Sequence, residues 1–142
     1  MGRRHGQGGF TLIELLIVIA ILGVLAAILI PNFIRSRSAA LLAAAQLDLR
    51  NIGASLDMYY NENQIYPLMA GWQVTLQSGG YIRTVPVSPV DGAPYGYQVN
   101  ASRNSYVLWD GPNKYTQSGV TGYIVYTLAY GSQIGVPSIP TP

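Results

Sequence analysis

A chain of 142 residues, 49% hydrophobic and only 10% charged, is long enough for one small globule beside an apolar segment and too short for a multidomain enzyme. Its formal charge of +2 includes Arg3 and Arg4; without them six Lys and Arg balance six Asp and Glu, so no nucleic-acid groove is advertised. Cysteine is absent, which excludes disulfides and thiol chemistry, and the single histidine, His5, leaves none after the first nine residues to bind a metal or act as a base.

The chain starts with a basic, glycine-rich stretch, MGRRHGQGG, and continues into GFTLIELLIVIAILGVLAAILIPNF over residues 9–33, where Glu14 is the only charge. At about 1.5 Å per residue the run from 10 to 30 spans a roughly 30 Å hydrocarbon core as a helix that is apolar all round. Arg3 and Arg4 hold the amino end on the cytoplasmic side and direct the rest of the chain outward. A carboxylate in such a segment costs about 2.5 kcal/mol or more, so Glu14 is expected to meet a partner. Gly23 and Pro31 interrupt the run; proline removes a backbone donor, so Pro31 is expected to loosen the helix without ending it, because strong helix formers follow.

Beyond Arg35 and Arg37, which mark the membrane edge, the pattern becomes one-sided. Ala45, Leu49, Ile52, Leu56 and Tyr59 are spaced 4, 3, 4, 3 and form one stripe of a helix running to about Asn63, with Asp48, Arg50, Asn51, Ser55 and Asp57 on the other faces. After Tyr66-Pro67 comes a loop with a short helical turn before Gly79-Gly80. Runs at 81–87, 95–99, 106–109 and 122–130, rich in β-branched and aromatic residues, predict an antiparallel meander laid on the stripe. The eleven tyrosines are expected mainly to pack sheet on helix or head on head. The proline-rich tail, 137–142, is expected to lie extended on a neighbour or hang free. Among residues 64–142 the charged groups are Arg83, Asp91, Arg103, Asp110 and Lys114, too few for a catalytic constellation; no enzyme activity and no cofactor are expected.

The basic leader, Gly9, Phe10-Thr11-Leu12-Ile13-Glu14 and the apolar run resemble the class III signal of type IV pilins and of type II secretion pseudopilins. The stretch DLRNIGASLDMYYNENQIYP, with GGYIRTVPVSPVDGAPYGY after it, resembles the head of major pseudopilins and simple pilins. The resemblance implies that a prepilin peptidase removes residues 1–9, cutting between Gly9 and Phe10 and methylating the new Phe10 amine. It also implies that Glu14 pairs with the Phe10 amine of a neighbouring subunit, and that the Gly23 to Pro31 stretch unwinds when the subunit leaves the membrane. The expected architecture is α+β. A filament-core helix at 10–33 and its amphipathic continuation at 34–63 pack, through the latter, on a sheet, loop and tail at 64–142.

The expected function is a structural subunit of a type IV pilus, an inner-membrane precursor that becomes an extracellular homo-oligomeric filament for adhesion, twitching motility or DNA uptake. Nucleic acid enters only through such a filament. The alternative is a pseudopilin of a type II secretion or competence system, forming a short periplasmic filament; in either case an assembly platform is the partner. Major pseudopilins hold a calcium ion in a carboxy-terminal loop, to which Trp109-Asp110-Gly111-Pro112-Asn113 lies near. Calcium prefers six to eight oxygens, several of them carboxylates; one Asp is a weak set, which favours the pilus.

Overall fold

The structure is a computed structural model that describes residues 9–142; of the expected leader, only Gly9 lies within them. Helix α1, Leu12–Asn63, runs for 52 residues and continues through Pro31. Beside the proline, the Asn32 side chain donates to the Ile28 carbonyl at 3.1 Å, giving that turn an extra hydrogen bond next to the missing one. The chain divides into two compact units, Met1–Arg35 and Ser36–Pro142. In the first, every described residue is exposed. Its helix is long and apolar enough to cross a membrane.

In the second unit the carboxy-terminal half of α1 is followed by α2, Trp72–Ser78, and by four strands: β1 Gly96–Val99, β2 Tyr106–Asp110, β3 Tyr123–Thr127 and β4 Gly131–Val136. The strands form one antiparallel sheet in the order β1-β2-β3-β4. This is the expected α+β architecture. The stripe Ala45, Leu49, Ile52 and Leu56 is completely buried, with Tyr59 packed at its margin. Alternate strand residues face it: Tyr97 from β1, Tyr106 and Leu108 from β2, Ile124 from β3. Gly53 lets the sheet approach, since a side chain there would collide with the Tyr126 ring. On β1, Gly96 lies opposite Trp109, whose indole covers it.

Three expectations need correction. Residues 81–87 form no strand, only an isolated bridge from Val87 to Pro94, because Pro86 and Pro89 remove ladder donors. The run at 122–130 is shorter as a strand and turns back through Leu128, Ala129 and Tyr130 into β4, with Gly131 at φ 65° closing a three-residue loop. Strand β4 carried no apolar alternation to reveal it; it pairs through backbone on the sheet edge, with Gly135 also at positive φ. The tail does not hang free: Pro140, Thr141 and Pro142 line a cleft of about 220 Å³ with Val107 and Thr127 of the chain's own sheet.

Candidate assembly site and the Lys114 loop

At the start of α1, Glu14 already has partners. One carboxylate oxygen, Oε2, accepts the Thr11 backbone N–H at 2.9 Å and the Thr11 hydroxyl at 2.7 Å, while Thr11 Oγ1 accepts the Glu14 N–H at 3.3 Å. This is a reciprocal capping box, which satisfies donors left orphaned at a helix start. Thr11 is a residue that no charge singles out in the sequence, although Thr-x-x-Glu before an apolar run is the signature of that box. The box uses one carboxylate oxygen and holds the group at the helix terminus. Gly9 and Phe10 precede it, and Phe10 is 84% exposed.

Gly23 and Pro31 stand apart from this terminus, Gly23 about 14 Å beyond Glu14 along the axis at the usual helical rise. A Cβ at Gly23 would meet nothing within 4 Å, so among the described residues no contact requires glycine there.

The head has a different chemistry. Tyrosine hydroxyls reach back from its loops and sheet to carboxylates on α1: Tyr95 donates to Asp48 at 3.0 Å, and Tyr66 and Tyr106 donate to Asp57 at 3.0 and 3.4 Å. Asp48 and Asp57, on the other faces of the helix from the apolar stripe, are half-buried, and Ser55 is buried; its hydroxyl donates to the Asn51 carbonyl at 2.9 Å. Burial first, with the neighbouring carboxylates adding to it, pushes the Tyr66, Tyr95 and Tyr106 phenols well above the usual tyrosine value. Each therefore stays a neutral donor. Of the other tyrosines, Tyr97 and Tyr115 are also buried, whereas Tyr123 is half-buried and Tyr130 exposed. The Asn100 side chain, part of a glycosylation-type tripeptide, is engaged in the β1–β2 connection, where its carbonyl accepts the Asn104 and Ser105 N–H groups.

After β2 the chain turns at Gly111-Pro112-Asn113, and Asn113 adopts φ 60° while its side chain accepts the Gly122 N–H at 2.8 Å. The turn brings Lys114 back onto Asp110. Lys114 Nζ donates to Asp110 Oδ1 at 2.7 Å and to Asp91 Oδ1 at 2.9 Å. Asp110, 1% exposed, has both oxygens engaged: Oδ1 also accepts the Gly111 N–H at 2.9 Å, and Oδ2 accepts the Ser88 and Tyr115 hydroxyls, each at 2.7 Å. Burial pulls the Lys114 ammonium down, but the hydrogen bonds to Asp110 and Asp91 outweigh it and leave the group above its usual value. The hydrogen bond from Lys114, then that from the Ala93 N–H, holds Asp91 below the usual carboxylate range. Asp91 and Asp110, read in the sequence as unpromising for catalysis, thus meet through one lysine.

A calcium ion fits this loop poorly. Both Asp110 oxygens already accept hydrogen bonds, and the charge the two carboxylates would offer a metal is met by an ammonium. Among the described residues no group of three or more His, Cys, Asp or Glu side chains comes together.

Comparison with known proteins gives three findings. A family model described as a prokaryotic N-terminal methylation motif matches residues 4–30. The chain is 32% identical to the type II secretion system core protein G of Pseudomonas aeruginosa over 120 residues, covering 75% of this chain and 84% of that protein, and 32% identical to the same-named protein of Vibrio cholerae over 101 residues, covering 63% and 69%. It is 34% identical to the type IV major pilin protein PilA of Myxococcus xanthus over 94 residues, covering 66% of this chain but 37% of that protein.

Proposed function

The chain belongs to the type IV pilin and pseudopilin family, and from that premise we propose that it is a pseudopilin, a filament subunit of a type II secretion system, whose precursor sits in the inner membrane. The observation that carries this reading is the extent of similarity to core protein G: 84% of the Pseudomonas protein is covered, enough to include both an apolar helix and a head. The match to the pilin covers 37% of its length. That difference outweighs the scarcity of carboxylates in the 109–113 loop, which by itself favoured a pilus.

In this reading a prepilin peptidase cuts after Gly9 and methylates the Phe10 amine, freeing residues 10–142 to assemble. The apolar faces of residues 10–33, exposed in a single subunit, pass from lipid to the helices of neighbouring subunits, and burial of roughly twenty apolar side chains supplies most of the cohesion. Glu14 receives the Phe10 amine of the next subunit. Two opposite charges attract strongly in that dry core, and a subunit docked out of register leaves the carboxylate buried and unpaired. The Thr11 box supports this role, since it holds the carboxylate at the end of the helix with Oε1 free of the box. Gly23, which no contact among the described residues explains, and Pro31 are where the helix loosens on leaving the membrane. The filament is a structural device and carries out no catalysis of its own.

The test compares wild type with Glu14→Ala in a strain lacking the chromosomal copy. The pseudopilin reading expects secretion of the system's substrates to stop in the mutant while the processed protein remains in the inner membrane, with a methylated Phe10 by mass spectrometry in wild type. Immunogold label along the whole length of long sheared surface filaments, with secretion intact when the gene is deleted, would establish a major pilin instead.

A further inference from the structure

We propose that Lys114 is the resident cation of the head: its ammonium holds Asp110 and Asp91 together and closes the β2–β3 connection, so that the head folds without calcium. The inference rests on the pseudopilin reading only in so far as that reading raises the expectation of a metal; the bonding itself stands on the geometry.

Asp110 is the most buried charge described in the head, and a carboxylate at 1% exposure must be matched by charge and hydrogen bonds at once. The Ser88 and Tyr115 hydroxyls and the Gly111 N–H supply hydrogen bonds, and Lys114 supplies the charge at 2.7 Å. Lys114 is itself only 16% exposed, whereas Asp91 is 46% exposed. The Asp110 contact is therefore the strong one, and the Asp91 contact is screened by solvent. The bonds tie together three segments: Ser88 and Asp91 from the turn after Pro86, Asp110 from the end of β2, and Lys114 with Tyr115 from the following loop. A divalent ion entering here would have to displace an ammonium that is tethered beside the carboxylates and so competes with it at a high local concentration. A head closed in this way is indifferent to the calcium concentration of its compartment.

The experiment follows thermal unfolding of the full chain in detergent micelles by near-ultraviolet circular dichroism, in millimolar calcium and in chelator. Wild type is expected to melt at the same temperature in both, within about 1 °C. Lys114→Met is expected to melt about 10 °C lower or more, since it leaves a buried carboxylate unpaired, and calcium is not expected to restore it. The double variant Lys114→Met with Asp110→Asn removes the charge that was stranded and is expected to regain at least half of the loss, which keeps the test meaningful should the single variant not fold. A wild-type melting temperature that rises by several degrees with calcium, the sign of ligand linkage to the folded state, overturns the proposal. So does a Lys114→Met protein as stable as wild type, or a double variant no better than the single one. Because the readout is melting rather than secretion, a pilus in place of a pseudopilus would leave the result unchanged.

Discussion

The two halves of α1 share a backbone and differ in where their partners lie. From Leu12 to Ile30 no side chain is buried; from Ala45 to Leu56 one stripe is buried completely. The first half is apolar apart from Glu14 and stays exposed among the described residues, a composition suited to lipid or to the apolar faces of other helices. The second half is amphipathic, and the rest of its chain covers it. A continuous helix can therefore serve two solvents, provided its composition changes where the solvent does.

The halves also differ in what titrates, and raising the pH should separate them most strongly. Tyr66, Tyr95, Tyr97, Tyr106 and Tyr115 all have phenols raised by burial above the ordinary 10.0. A tyrosine whose folded pKa exceeds its unfolded one supports the fold fully below about pH 10 and withdraws that support as pH rises further. Lys114, raised above 10.5, acts in the same direction. The head is expected to unfold cooperatively above pH 10, with loss of the near-ultraviolet dichroism and a steep rise in tyrosinate absorbance, while helical signal from the apolar half persists in micelles. A gradual tyrosinate titration centred at pH 10 with the dichroism intact would contradict this. At the acid end Asp91, held below 3.8, gives support that is present above that pH and fades as pH falls below it.

Single substitutions should break one half at a time. Ile52→Ala empties a fully buried site and is expected to cost the head about 2–5 kcal/mol in chemical denaturation, with membrane insertion unchanged. Conversely, Ile21→Asp adds a charge near the middle of the apolar half at about 2.5–3.5 kcal/mol. Membrane fractionation should show weakened insertion and melting of the head should not move.

Gly53→Ala sharpens the comparison, because alanine ordinarily strengthens a helix. Here its methyl meets the Tyr126 ring, and a net loss of about 1–3 kcal/mol is expected. The same change at Gly23, where space is open, should stabilise an isolated subunit slightly, and any defect would appear only in assembly. Smallest of all, Tyr95→Phe removes the hydrogen bond to Asp48 at about 1 kcal/mol. A loss several times larger would mean that Asp48 is left dry rather than rehydrated.

Much of this was readable in advance. The 4, 3, 4, 3 spacing located the buried stripe because helical periodicity projects directly onto burial, and β1 to β3 were visible as apolar and aromatic runs between turn residues. β4 was not, since an edge strand needs only backbone partners and its exposed side chains obey no pattern. At the start of α1 Glu14 stands out by its charge and Thr11 does not, although the Thr-x-x-Glu spacing is the signature of the box. Nothing local announced that Asp110, Asp91, Ser88 and Lys114 would meet, apart from the four-residue interval between Asp110 and Lys114.

The sequence alone determined the apolar helix, its single carboxylate, the switch to an amphipathic stripe and the α+β class, because each depends on composition or on a period along one segment. Tertiary structure decided which carboxylates would be buried and what would satisfy them. Asp48 and Asp57 are drawn inward by tyrosines from distant loops and strands, and Asp110 is matched by an ammonium that a turn folds back onto it. Burying a charge is favourable only when every partner arrives together, and those partners are assembled by the packing of segments far apart in the chain.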